Sequence, residues 1–85
     1  MNLKGVMERI RSYPGEIVLD AYGFEGNTGF LVLSFQRNGN IEGELTIKGS
    51  REELQELALF LKNNIHKIFE HQRNAAWRAL EDILT

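Results

Sequence analysis

Apolar positions along this chain switch period twice, and each period names an element. Leu3, Val6, Met7 and Ile10 stand at i, i+3, i+4 and i+7, one face of a short helix that Asn2 is placed to cap. Pro14-Gly15 ends that helix, and Tyr13, before the proline, is pushed toward extended geometry. Alternation by two then takes over in three runs: Glu16 to Tyr22, Phe30 to Arg37, and Ile41 to Lys48. Past Ser50 the helical period returns. Leu54, Leu57, Ala58, Leu61, Ile65, Ile68 and Phe69 form one continuous stripe. Ser50 with Glu53 three residues on has the spacing of a capping box. After Phe69 the phase changes, and Ala76, Trp77, Leu80, Ile83 and Leu84 form a second stripe rotated by roughly 80°.

The spacing of strands and stripes sets the finer expectations. A straight helix from Ser50 to Thr85 would run about 50 Å, against about 25 Å for strands of this length. A joint is therefore expected within Glu70–Asn74, with Asn74 capping a last helix and no break at Asn63-Asn64. Gly26-Asn27 and Asn38-Gly39 mark two hairpin turns. Three-residue loops, Gly26-Asn27-Thr28 and Asn38-Gly39-Asn40, bring the apolar set onto one face. They pair Leu31 with Ile47, Leu33 with Leu45, Phe35 with Gly43, Ala21 with Leu33, and Leu19 with Phe35. The inner face then holds Ile17, Leu19, Ala21, Leu31, Leu33, Phe35, Ile41, Leu45 and Ile47. The fold class expected is α+β, in the order α-β-β-β-α-α: a three-stranded antiparallel meander packed on helices, forming one domain over residues 1–85.

Composition sharpens this picture. All eight glycines and the single proline fall within the first 49 residues, which separates a turn-punctuated strand region from a helical one. Apolar residues make up 42% of the chain, enough for a core. With no cysteine, neither a disulfide framework nor a thiolate metal site is available. The start, MNLKGVMERIRS, lacks the apolar run of a signal peptide or membrane span, so a cytoplasmic location is expected. Residues 1–49 and residues 50–85 each carry five Lys/Arg and six Asp/Glu, so neither half has the basic concentration of a nucleic-acid binder.

The chemistry-bearing residues point away from catalysis. His66, Glu70 and His71 read H-x-x-x-E-H, one residue longer than the inverted zinc-protease spacing, and the two histidines diverge by about 140° on a helix. No metal site or cofactor is expected. Ser12, Ser34 and Ser50 sit in turn, strand and cap contexts, and no G-x-S-x-G elbow exists. Gly23, Gly26 and Gly29 do not open a helix and are followed by no Gly-Lys-Ser/Thr, which sets aside a phosphate loop. The chain reads as a non-enzyme.

One surface stands out. The three-residue loops pair Tyr22 with Val32 and Phe24 with Phe30 on the face away from the long helix, beside Val18. Asp20, Glu25, Glu42 and Glu44 rim this cluster, which makes it the candidate partner-binding site unless the first helix covers it. Aromatic anchors with acidic neighbours suit a basic surface on another protein, such as a nucleic-acid-binding complex.

Two resemblances bear on function. The first five elements follow the order of the double-stranded RNA-binding domain, but Ser50-Arg51-Glu52-Glu53 stands where that family has a lysine-rich helix start, and RNA binding is set aside on those residues. Met1-Asn2, the turn Asn38-Gly39-Asn40 and the helices after Gly49 give a layout that resembles small phage-encoded CRISPR inhibitors that bind Cas9. That resemblance implies a protein that occludes a surface of a host defence complex. It assigns no residues, since a net charge of −2 departs from that family's strong acidity. The expected function is a small protein-binding module, with direct nucleic-acid binding and dimerisation through the helices as the alternatives.

Overall fold

The computed structural model describes Asn2–Thr85; Met1, half of the Met-Asn start, lies outside the described residues. Helix α1 spans Leu3–Ser12, strand β1 Glu16–Glu25, β2 Thr28–Arg37, β3 Asn40–Ser50, helix α2 Arg51–Asn63 and helix α3 Arg73–Leu84. The order is α-β-β-β-α-α, an α+β fold on an open antiparallel meander β1-β2-β3. Local chemistry sets the starts of α1 and α2 as expected. Asn2 Oδ1 accepts from Gly5 N–H at 2.9 Å. At α2 the capping box is complete: Ser50 Oγ accepts from Glu53 N–H, and Glu53 Oε1 accepts from Ser50 N–H.

The β2–β3 register is the one expected from patterning, with Leu31 opposite Ile47, Leu33 opposite Leu45 and Phe35 opposite Gly43. The loop that produces it differs. Asn38 and Gly39 form a two-residue turn between Arg37 and Asn40, with φ of 53° and 81°, as a type I′ turn requires. The extra residue sits in β3 instead, as a bulge at Glu42 between Ile41 and Gly43. Ile41 lands opposite Gln36 and is 70% exposed rather than inward.

The first hairpin repeats this device with a larger consequence. Gly26-Asn27 is a two-residue turn, Leu19 pairs with Leu33 and Ile17 with Phe35, and Asp20 is skipped before Ala21 pairs with Val32. The expected pairs of Ala21 with Leu33 and Leu19 with Phe35 are therefore displaced. A bulge reverses which residues face the core. Ile17 and Leu19 point inward before it, Tyr22 and Phe24 after it, and Ala21 turns outward.

All three helices lie on one side of the sheet. The buried core joins Ile17, Leu19, Leu31, Leu33, Phe35 and Ile47 to Ile10, Leu54, Leu57, Ala58, Leu61, Ile68, Ala76, Leu80 and Ile83. Helix α1 docks beside α2, with the Arg9 guanidinium 4.6 Å from the Phe35 ring centroid and Arg11 over Phe60. It leaves the opposite sheet face bare. The shortest dimension of the molecule, 19 Å, is that of two layers.

The stretch after α2 differs from one bent helix. Helix α2 ends at Asn63, where Asn64 leaves helical geometry and its Nδ2 donates to Phe60 C=O at 2.8 Å. Two short 3₁₀ turns, Ile65–Lys67 and Glu70–Gln72, lead into α3, whose cap position is Gln72; Asn74 lies inside α3. Ile65 and Ile68 are apolar because this link packs on the core along β1. Ile68 bridges Ile17 in parallel, and Phe69 N–H donates to Ile17 C=O at 2.8 Å. Gln72 continues the seal with its side chain, accepting from Leu19 N–H and donating to Leu19 C=O.

Candidate protein-binding face

The Asp20 bulge divides the eight predicted site residues between two faces. Tyr22 points toward the helices, where its hydroxyl donates to Asp82 Oδ2 of α3 at 2.8 Å. That hydrogen bond, then burial, holds the Tyr22 phenol above its ordinary pKa. Phe24 also points inward. Its ring lies over Gly29, where a Cβ would come within 2.5 Å of the ring, and Arg51 stacks on it at 4.2 Å. Glu42 is held at the helix side of the β3 bulge by Tyr13 Oη at 2.5 Å and Arg37 Nη2 at 2.9 Å. The Tyr13 hydrogen bond, with Arg37, lowers the Glu42 pKa against the opposing effect of burial. These three residues belong to the fold's supports and not to the open face.

The other five remain on or around that face. Phe30 pairs with Gly23 and lies over it, so close that a Cβ on Gly23 would meet the ring at 2.8 Å. A bare glycine covered by a cross-strand aromatic stabilises the pair while leaving the ring 38% exposed. Val32, next along β2 on the same face, is half-buried between Ala21 and Thr46. Asp20 is exposed and accepts from the Ser34 hydroxyl, which satisfies the one buried polar side chain of this face. Glu44 lies exposed opposite Ser34, and Glu25 is exposed at the hairpin end opposite Thr28.

Sequence reasoning placed Ala21 and Ile41 inward, and the structure adds them to this face beside Val18. A signal for the first of these lies in Leu19-Asp20-Ala21-Tyr22-Gly23-Phe24. Its large apolar residues step by three from Leu19 to Tyr22 before resuming by two, which is the trace of one extra residue.

Around Phe30 the surface opens into a depression of about 590 Å³ lined by Gly23, Phe24, Glu25, Thr28, Gly29, Phe30, Lys48 and Gly49. It could accept an inserted side chain. Its charged rim is mostly acidic, from Glu25 at the depression to Asp20 and Glu44 further along the sheet, with Lys48 opposite Phe30 as the cation. The two histidines lie on the link segment, and among the described residues no group of three potential metal ligands converges. No described helix is long and apolar enough to cross a membrane. Comparison with protein-family models, curated proteins and solved structures finds no match to this chain.

Proposed function

We propose that this protein is a small non-enzymatic binding module that docks the open face of its sheet onto a basic surface of another protein. The observation that carries this reading is the one-sided packing. Three helices cover one face, and Phe30, Val32, Val18 and Ile41 remain on the other. An apolar strip that carries an exposed aromatic and has acidic neighbours has the composition of an interface whose core supplies affinity and whose rim steers approach. Asp20, Glu25 and Glu44 also repel phosphates, which favours a protein partner over a nucleic acid. A partner whose basic surface normally receives nucleic acid would be occluded by such docking, which agrees with the layout resemblance to phage-encoded inhibitors.

Affinity capture with the wild-type chain and with Asp20→Lys/Glu44→Lys tests this. The reading expects a basic protein to be captured by the wild type, lost with the charge reversal, and lost with Phe30→Ala, while circular dichroism shows all three chains folded. Capture that survives both changes would place the interface on the helical side and overturn the reading.

A further inference from the structure

The two edges of the sheet are treated differently. On β1 the edge is closed at Ile17 and Leu19 by Ile68, Phe69 and the Gln72 side chain, which take Ile17 C=O and both backbone groups of Leu19, and beyond the bulge α3 reaches Tyr22 through Asp82. On β3, among the described residues, the backbone from Ile41 to Gly49 receives no hydrogen bond from any element other than its neighbour β2. An eleven-residue strand with one unpaired edge is a template for another strand. Proline is absent from it, and its bulge lies near one end, at Glu42.

The side chains of β3 say which strand fits. Glu44, Thr46 and Lys48 follow one another on the open face, all exposed. A two-fold axis through Thr46 would set β3 antiparallel to a second β3, with Thr46 opposite its own copy. Glu44 of each chain would then face Lys48 of the other, giving two opposite-charge cross-strand pairs. On the helix side, Leu45 would face Ile47, and Gly43 would face Gly49. Centring the axis on Glu44 or on Lys48 instead opposes like charges. Centring it on Leu45 asks Lys48 to pair with Glu42, which Tyr13 and Arg37 already hold.

We propose that the protein forms a two-fold homodimer by antiparallel β3–β3 pairing centred on Thr46, giving a continuous six-stranded sheet. All helices then lie on one side, and the two open faces merge into one surface bearing two Phe30 patches. The assembly closes at two copies, because the edges left at its ends are the β1 edges, whose backbone is already taken at Ile17 and Leu19. This goes beyond the proposed docking to a basic partner and does not depend on it.

Sedimentation velocity on the full chain at about 100 μM, well above a micromolar dissociation constant, tests the proposal. The expected species has twice the 9.8 kDa mass of the chain. Glu44→Lys and Lys48→Glu each replace two attractive pairs by two repulsive ones, so each variant alone should weaken dimerisation by about tenfold or more. Mixing the two variants should restore the dimer as a heterodimer, since each cross-strand pair then joins one lysine to one glutamate again. Circular dichroism should show both variants folded, as neither side chain is buried. A monomeric wild type overturns the proposal. So does a dimer indifferent to both charge changes, or a mixture that fails to recover.

Discussion

The side-chain amide of Gln72 pairs with Leu19 as a neighbouring strand would, its Oε1 accepting from the Leu19 N–H at 3.0 Å while its Nε2 donates to the Leu19 carbonyl. The contact falls one residue before the Asp20 bulge, where β1 turns its side chains over. Gln72→Ala removes both hydrogen bonds and should cost about 1–2 kcal/mol in chemical denaturation. The Leu19 amide should also exchange with solvent faster than its neighbours in β2. A Leu19 amide that stays protected in the variant would show that the link segment seals the edge without Gln72.

Leu33 of β2 and Leu61 of α2 both belong to the core, each with no exposed surface. Truncating either to alanine should cost about 2–5 kcal/mol, since the surrounding layers can only partly collapse. Ile41→Ala, by contrast, should change stability by less than about 0.5 kcal/mol, because the side chain is already in water. Urea denaturation of the three variants checks the assignment of faces. A large loss in Ile41→Ala would contradict it.

The sequence and the structure agree where one physical signal is strong and diverge where two signals compete. Both caps, the meander order and the β2–β3 register followed from Asn2, Ser50 with Glu53, and the alternation of Leu31, Leu33 and Phe35 against Leu45 and Ile47. Register was legible because one face must be apolar. Turn length was not, because a longer loop and a two-residue turn with a bulge both put the apolar set of β2 on one face; in the second hairpin they even give the same pairs, while in the first the pairs shift. The difference leaves Leu33 facing inward either way but is decisive at Tyr22 and Phe24, which a bulge sends to the other face. The end of α2 was hidden for a related reason. Ile65 and Ile68 keep a helical rhythm although the helix has ended, since the core they pack against continues past Asn63. The open face was legible only in part: Phe30 and Val32 lie on it, and Tyr22 and Phe24, the other half of the expected cluster, do not. The absence of α1 over it was not legible, because an amphipathic helix shows that it needs a core but not which side of a sheet supplies it.

Titration should report the Tyr22–Asp82 contact. The folded-state pKa of Tyr22 is raised above the ordinary 10.0 of a tyrosine. Its contribution to stability is therefore present below pH 10 and lost as pH rises through the raised value. Glu42 and Glu53 behave in the opposite sense, with pKa values lowered from 4.5 by Tyr13 and by Ser50. Their contributions are present above pH 4.5 and lost as pH falls through the lowered values. In a Tyr13→Phe background, which removes the other tyrosine, phenolate absorbance should show Tyr22 titrating above pH 10, and Asp82→Asn should bring the midpoint back toward 10. An unchanged midpoint would mean that the two side chains do not meet in solution.

Phe24 and Phe30 provide the sharpest comparison, because each covers a glycine on the facing strand but on opposite faces of the sheet. Phe24 lies over Gly29 beneath Arg51, and Phe30 over Gly23 in the open. Phe24→Ala should cost about 2 kcal/mol, from lost burial and the lost stacking of Arg51. Phe30→Ala should cost about 1 kcal/mol at most, the scale of a cross-strand pair. Binding should rank them the other way. If the open face is the interface, Phe30→Ala removes its exposed aromatic and should weaken partner capture by about 2 kcal/mol or more. Tyr22→Phe, on the helix side, should leave capture unchanged although it deletes the hydrogen bond to Asp82. Calorimetric titration of the captured partner against the folded variants decides the matter. A partner that tolerates Phe30→Ala but not Tyr22→Phe would move the interface to the helical side of the sheet.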